Sequence, residues 1–232
     1  MLENEYKLLA DLGADVVKIE PPGGDPMRTF IFLDDDGRSP LYKQVNAGKT
    51  VVRLDLKSEQ GCAHFTELVK AADVLLESYR PGVMDRLGFS HSRLRTLNPR
   101  LVHCAISGFG QDGPASQRAG HDLTYMALSG MLHHTGTIET PVIPFPPVSD
   151  YAGGQHAASM ILAALLRREK HGEGCTIDTS LFETVLSWQS FGLAGMGRPD
   201  QGFEPEHLLT RNATRGAVVA RLAAAAETLT EG

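Results

Sequence analysis

Apolar residues recur at helical spacing through NEYKLLADL (4–12) and stop at Gly13, after which ADVVKIE gathers β-branched residues into a short run closing on Glu20. The first stretch predicts a helix and the second a buried strand. The same unit returns later. KAADVLLESYRPGVMDR (70–86) repeats the plan of LGADVVKIEPPGGDPMR (12–28): a helix end, a strand beginning Ala-Asp-Val and closing on Glu, then a Pro/Gly loop carrying an arginine. Between them TVVRLDL (50–56) predicts a third strand, and SEQGCAHFTELVKAA (58–72) a helix for which Ser58 is a good N-cap. RLVHCAISGFG (100–110) predicts a further strand. Strands alternating with helices imply right-handed crossovers and a mostly parallel sheet covered by helices, an α/β fold whose ligand belongs at the loops beyond the strand C-termini. Those loops follow Glu20, Leu56, Glu77 and Ser107.

Past residue 110 the pattern changes to a Gly/Pro/Ser loop (GQDGPASQRAG), a helix after His121 and a proline-dense connection, PVIPFPPVSD (141–150). Prolines stiffen that connection without making a helix or strand. SDYAGGQHAASMILAALLRREKHGEG (149–174) then predicts a long helix with small residues in its opening turns, CTIDTS (175–180) a strand and LFETVLSWQSFGLAG (181–195) a helix. The closing run, RNATRGAVVARLAAAAETLTEG (211–232), is Ala/Thr-rich and without aromatics, a weakly specified tail.

With 232 residues, 42% of them hydrophobic and 22% charged, the chain can bury a real core, and disorder is excluded as its default. Its net charge of -6 argues against nucleic-acid partners and anionic membranes, so an anionic ligand must be held by a local group of Arg and Lys. The three cysteines, Cys62, Cys104 and Cys175, are odd in number and lack CxxC spacing, which fits reduced thiols better than disulfides or zinc. Neither a signal peptide nor a membrane span is legible, so a soluble, cytoplasmic protein is expected.

Three features carry candidate chemistry, each beside a plainer role. His121 and Asp122 follow Gly120 and precede a helical run, where they are either a helix cap or a reactive pair. Asp150, between stiff prolines and a small-residue helix, is either an N-cap or an acid/base or nucleophile. Tyr79, Arg80 and Arg86 follow a predicted strand, where guanidinium forks suit phosphate, although Arg86 has Asp85 and Glu77 as possible ion-pair partners.

In order, LADLGADVVKIEPPGGDPMR, NAGKTVVRLDLKSEQG, ADVLLESYRPGVMDRLG, ISGFGQDGP, AGHDLTYMALSG and SDYAGG resemble the family III CoA-transferase (CaiB/BaiF) superfamily, nearest its 2-methylacyl-CoA racemase branch. The likeness is collinear over about residues 8 to 210. It implies a Rossmann-like CoA-binding sheet with flanking helices over residues 1–135, a helical remainder leading toward a smaller domain over 136–210, the atypical tail 211–232, and an interlocked homodimer. It also implies no prosthetic group and no metal, coenzyme A entering as part of the thioester substrate. Leu56 and Lys57 correspond to the segment lining the adenine, and Tyr79, Arg80 and Arg86 to the segment reaching the phosphates.

On the racemase reading, His121 and Asp150 pass the α-proton of a 2-methyl-branched acyl-CoA through an enolate, with Asp122 orienting His121. On the alternative, an acyl-CoA:carboxylate CoA-transferase, Asp150 is the nucleophile and His121 is not required. Met126, Leu132 and the segment near Trp188 are the expected acyl-pocket residues. The family's usual first strand does not precede LLADLG, and its pattern stops after HLLT (207–210), so the chain is expected to be incomplete relative to the family, with an inactive remnant as the third reading.

Overall fold

The computed structural model describes residues 4–135 and 142–190, so the tail 211–232 and the end of the last predicted helix lie outside the described residues. Five strands are present: β1 (Val16–Glu20), β2 (Lys49–Arg53), β3 (Val74–Glu77), β4 (Val102–Ser107) and β5 (Cys175–Ser180). All their pairings are parallel, as the alternation predicted, but they form two sheets, β1-β2 and β3-β4-β5. The second register sets Val74 opposite Val102 and Val102 opposite Cys175.

Eight α-helices surround them among the described residues: α1 (Asn4–Asp11), α2 (Pro40–Val45), α3 (Glu59–Ala71), α4 (Val83–Arg86), α5 (His91–Leu97), α6 (Asp122–Leu128), α7 (Val148–His171) and α8 (Leu181–Trp188). Gly13, at φ 96°, turns the chain out of α1 into β1. Ser58 starts α3 by accepting the Gly61 amide, the cap expected of it.

β4 is buried along its whole length because both its faces are covered. On one face Val102, Cys104 and Ile106 pack with Ile177, with Ala157 and Ile161 of α7, and with Leu181 and Val185 of α8. Phe65 and Val69 of α3 form a second cluster with Met84, Phe89, Leu94 and Leu101, against which both Ile19 of β1 and Leu75 of β3 rest. The two sheets thus share one apolar layer under α3. Gly153 lets α7 approach: a Cβ there would stand 2.2 Å from Leu181 Cδ2.

Arg168, buried near the end of α7, donates to the exposed Asp73 carboxylate at 2.8 Å and to the Arg100 carbonyl at 3.2 Å. The long helix is therefore anchored to the entries of β3 and β4. At the opposite, C-terminal ends of the strands lie the loops where the sequence placed its candidates.

Candidate active site

α6 and α7 meet end to end, and the contact between their first residues builds the site. His121 occupies the N-cap of α6 in extended geometry, its amide donating to Thr124 Oγ1 at 3.3 Å. α7 begins after Pro147, which has no side chain able to cap it. Asp122 takes that role from the neighbouring helix: its Oδ1 accepts from the Ser149 amide (2.6 Å), the Ser149 hydroxyl (2.5 Å) and the Asp150 amide (3.2 Å). A carboxylate on free helix N–H groups is favoured by both hydrogen bonding and the helix dipole. Asp122 therefore holds the start of α7, not the imidazole of His121 as its sequence neighbourhood implied.

Asp150 is consequently the third residue of α7 rather than its cap, and only 8% of it is exposed. Burial raises its carboxyl above the usual range, Asp122 adds to the rise, and His121 opposes it. The structure thus brings His121, Asp122 and Asp150 into one electrostatic neighbourhood.

Tyr125 joins them, and sequence reasoning missed it. Its ring is buried between two glycines: a Cβ at Gly108 would lie 2.3 Å from the hydroxyl, and one at Gly120 would lie 2.6 Å from Cε1. Burial raises the phenol, and the charge of Asp150 raises it further. The glycines of GFG and AGHD were the available signal, since both make room for this one side chain. Of the expected acyl-pocket residues, Met126 is fully buried in the interior, Leu132 is half-buried and Trp188 is exposed.

Replacing Asp122 by alanine removes three hydrogen bonds from the start of α7 and is expected to cost about 2 kcal/mol, the upper end for loss of a helix cap. Urea denaturation of Asp122→Ala beside Asp122→Asn checks it. The amide retains an acceptor oxygen, so the asparagine variant should lose less. Equal stability of all three forms would show that the cap does not hold α7.

The second group of candidates lies after β2 and β3. Arg80 and Arg86 are exposed on either side of the Pro81-Gly82 turn, and neither forms an ion pair among the described residues. The alternative of Arg86 paired to Asp85 or Glu77 is not what the structure shows. Tyr79 donates its amide to Glu77 Oε2 at 2.6 Å, and Gln117 donates to the Pro81 carbonyl at 3.3 Å, so the turn is held from both sides. After β2, the Lys57 amide closes a turn on Asp55 while its side chain is exposed, and Leu56 packs against the α3 cluster.

Glu20, at the end of β1, was not singled out as a candidate. It is 1% exposed and accepts from the Tyr42 hydroxyl (2.7 Å), Arg28 Nε (2.8 Å) and the Asp25 amide (3.3 Å). Burial would raise its carboxyl, but these partners outweigh burial and lower it. The loop after β1 is thereby tied down. Among the described residues no group of three or more His, Cys, Asp or Glu could hold a metal ion.

A parallel α/β scaffold with unpaired guanidinium groups beyond one strand and a buried carboxyl at a helix start suits a protein that handles an anionic thioester. The chain belongs to CoA-transferase family III, whose model matches residues 6–225. It is 42% identical over 189 residues to the acetyl-CoA:oxalate CoA-transferase of Acetobacter aceti, covering 80% of this chain and 48% of that protein. It is 37% identical over 204 residues to the succinate–glutarate CoA-transferase of Agrobacterium fabrum, covering 83% and 51%. The crystal structure of a CaiB/BaiF family protein from Brucella suis superposes with a TM-score of 0.81 at 33% identity, over 88% of this chain and 55% of that one. The chain spans about half the length of the curated relatives it matches.

Proposed function

We propose that the chain carries the CoA-binding and nucleophile-bearing part of an acyl-CoA:carboxylate CoA-transferase, with Asp150 as the nucleophile. The observation that supports this most is Asp150 itself, buried at the start of α7 and fixed there by Asp122. A carboxylate partly stripped of water is a stronger nucleophile than a solvated one. Its oxygen attacks the thioester carbonyl, the C–S bond breaks, and the acyl group stays on Asp150 as a mixed anhydride while CoA leaves as thiolate. The names of the two relatives above favour transfer over the racemase expected from AGHD. Coenzyme A enters as substrate: Lys57 and Leu56 face the adenine, and Tyr79, Arg80 and Arg86 take the phosphates.

The racemase reading keeps one support, His121 close enough to Asp150 to influence its charge. Deuterium wash-in separates the two. A transferase moves CoA only when a carboxylate acceptor is present and exchanges no α-proton; a racemase exchanges the α-proton without an acceptor. Exchange in the absence of acceptor would overturn the transferase reading.

Arg80→Ala is expected to weaken CoA about tenfold, the worth of one charge-assisted contact, and to leave a pantetheine thioester lacking phosphates unaffected. Calorimetric titration of both ligands checks this, and equal weakening of the two would remove Arg80 from the phosphate site.

A homodimer is also proposed. The chain exposes Phe30, Ile31, Phe32 and Leu33 in sequence, and separately Phe145, 95% exposed in the proline-rich connection, and large exposed apolar side chains of this kind suit an interface. No helix among the described residues is long and apolar enough to cross a membrane.

A further inference from the structure

A second cluster of titratable side chains lies beneath the Tyr79–Arg80 loop. Leu75 pairs with His103 and Glu77 with Ala105, so Glu77 and His103 project from the sheet face opposite the one covered by α7. Glu77 is 8% exposed and His103 4% exposed. Glu77 Oε2 accepts the Tyr79 amide at 2.6 Å, and Oε1 stands 3.9 Å from His103 Nε2, which has no hydrogen-bond partner. On its other side, His103 Nδ1 lies 2.9 Å from Nδ1 of the exposed His91. A cavity of about 20 Å³, room for one water, is lined by Glu77, Arg80, Asp85, His91, His103 and Gln111.

The hydrogen bonding of this cluster depends on which of the two histidines carries the proton between them. A single proton serves the two facing Nδ1 atoms: with His103 as donor its Nε2 is a lone pair that accepts from a neutral Glu77, and with His91 as donor Nε2 bears a hydrogen that faces an ionised one. Burial holds His103 down to about 4, the charge of His91 adding to the effect, so its ring is neutral. Burial pushes Glu77 up to about 7, against the Tyr79 amide and with the help of Asp178 on β5.

We infer that Glu77 is a positioning residue for the Tyr79–Arg80 loop, and that its ionisation, served by His103 and His91, sets how tightly the loop holds a phosphate group. The inference rests on that loop being the CoA phosphate site. As a neutral acid Glu77 still accepts the Tyr79 amide and places no charge under Arg80. Once ionised it opposes an incoming phosphate and attenuates the field of the guanidinium. The other charged groups facing it are Asp85 of α4, Asp178 of β5, and Arg80 itself. Phosphate affinity is thus highest below the Glu77 titration and falls as pH rises through it.

Dephospho-CoA is the suitable probe, because its pyrophosphate keeps one charge state near neutrality whereas a phosphate monoester titrates near ~6. In calorimetry the unaltered chain is expected to bind it roughly fivefold more weakly at pH ~8 than at pH ~5.5. Glu77→Gln, which keeps an acceptor for Tyr79 but no charge, should bind at the tighter level at both pH values, and Glu77→Ala should bind weakly at both. In NMR of the free chain the Tyr79 amide should shift with pH in the unaltered protein and stay fixed in Glu77→Gln. Binding with the same pH profile in Glu77→Gln, or a Tyr79 amide indifferent to pH, would overturn the inference. Absence of binding by every form at both pH values, with the amide shift intact, would instead overturn the nucleotide reading of the loop.

Discussion

Asp150→Ala is expected to lower turnover by ~10⁴-fold or more in any form of the protein that turns over, while CoA affinity changes less than about threefold. The carboxyl is the group that receives the acyl chain, and no neighbour can replace it. Asp122 is the carboxylate hydrogen-bonded to the Asp150 amide, but its Oδ1 is already engaged by three donors at the start of α7. Tyr125 is a phenol raised by burial and by the charge of Asp150, so it is protonated and a poor nucleophile. The CoA phosphates, on the other hand, are assigned to loops after β2 and β3, on different elements from Asp150. Single-turnover assays paired with titration of CoA check both halves. Residual activity within tenfold of the unaltered enzyme would remove Asp150 from the chemistry. Parallel loss of CoA affinity would show that its role is to hold the fold of α7.

His121 sharpens the same test, because transfer does not need it and racemisation does. His121→Ala should leave CoA transfer within about an order of magnitude if Asp150 alone forms the covalent bond. The imidazole is exposed, and its influence on Asp150 is among the smaller ones, below burial and Asp122.

The strand-helix alternation was legible because each strand is a short β-branched run bounded by Gly, Pro or Asp, and each long helix is periodic over enough residues to show it. Strand ends were less so. TVVRLDL reads as one strand, yet β2 stops at Arg53, because Leu54 makes the last bond to β1, at the Glu20 carbonyl, and the chain then turns with Ser58 donating to the Asp55 carbonyl. α2 escaped notice although Ser39 and Pro40 are good start signals, since six residues are too few to display a period.

Division into two sheets was illegible for a different reason: strand pairing is set by contacts between distant segments. The site shows the same limit. His121, Asp122 and Asp150 stand out locally, but the bond from Asp122 to the start of α7 joins residues 27 apart, and proximity in sequence pointed Asp122 at His121 instead. His103 hid inside VHCAIS, where alternation places it on the opposite face from Val102 and Cys104 and beside Glu77.

A large stability loss is expected from Gly174→Ala, and a second glycine two residues earlier supplies the control. Gly174 precedes β5, and a Cβ there would lie 2.0 Å from the Leu101 carbonyl oxygen and 2.5 Å from its carbon. Backbone cannot step aside as a flexible side chain can. Its amide meanwhile donates to the Pro99 carbonyl at 2.9 Å, so the two segments are held together where the clash would arise. Relief requires the start of β5 to move off β4, undoing the pairing of Cys175 with Val102 and disturbing the cluster that unites Ile177, Ile106 and Ile161. The expected cost is ~3 kcal/mol or more, at or beyond the upper end for forced overpacking. Gly172 closes α7 at φ 78° with nothing within 4 Å of its would-be Cβ, so Gly172→Ala meets only backbone strain, ~1 kcal/mol. Urea unfolding of the two variants side by side separates the causes. Equal, small losses would mean that β5 shifts freely along β4, and that the parallel register between them is not held at its first residue pair.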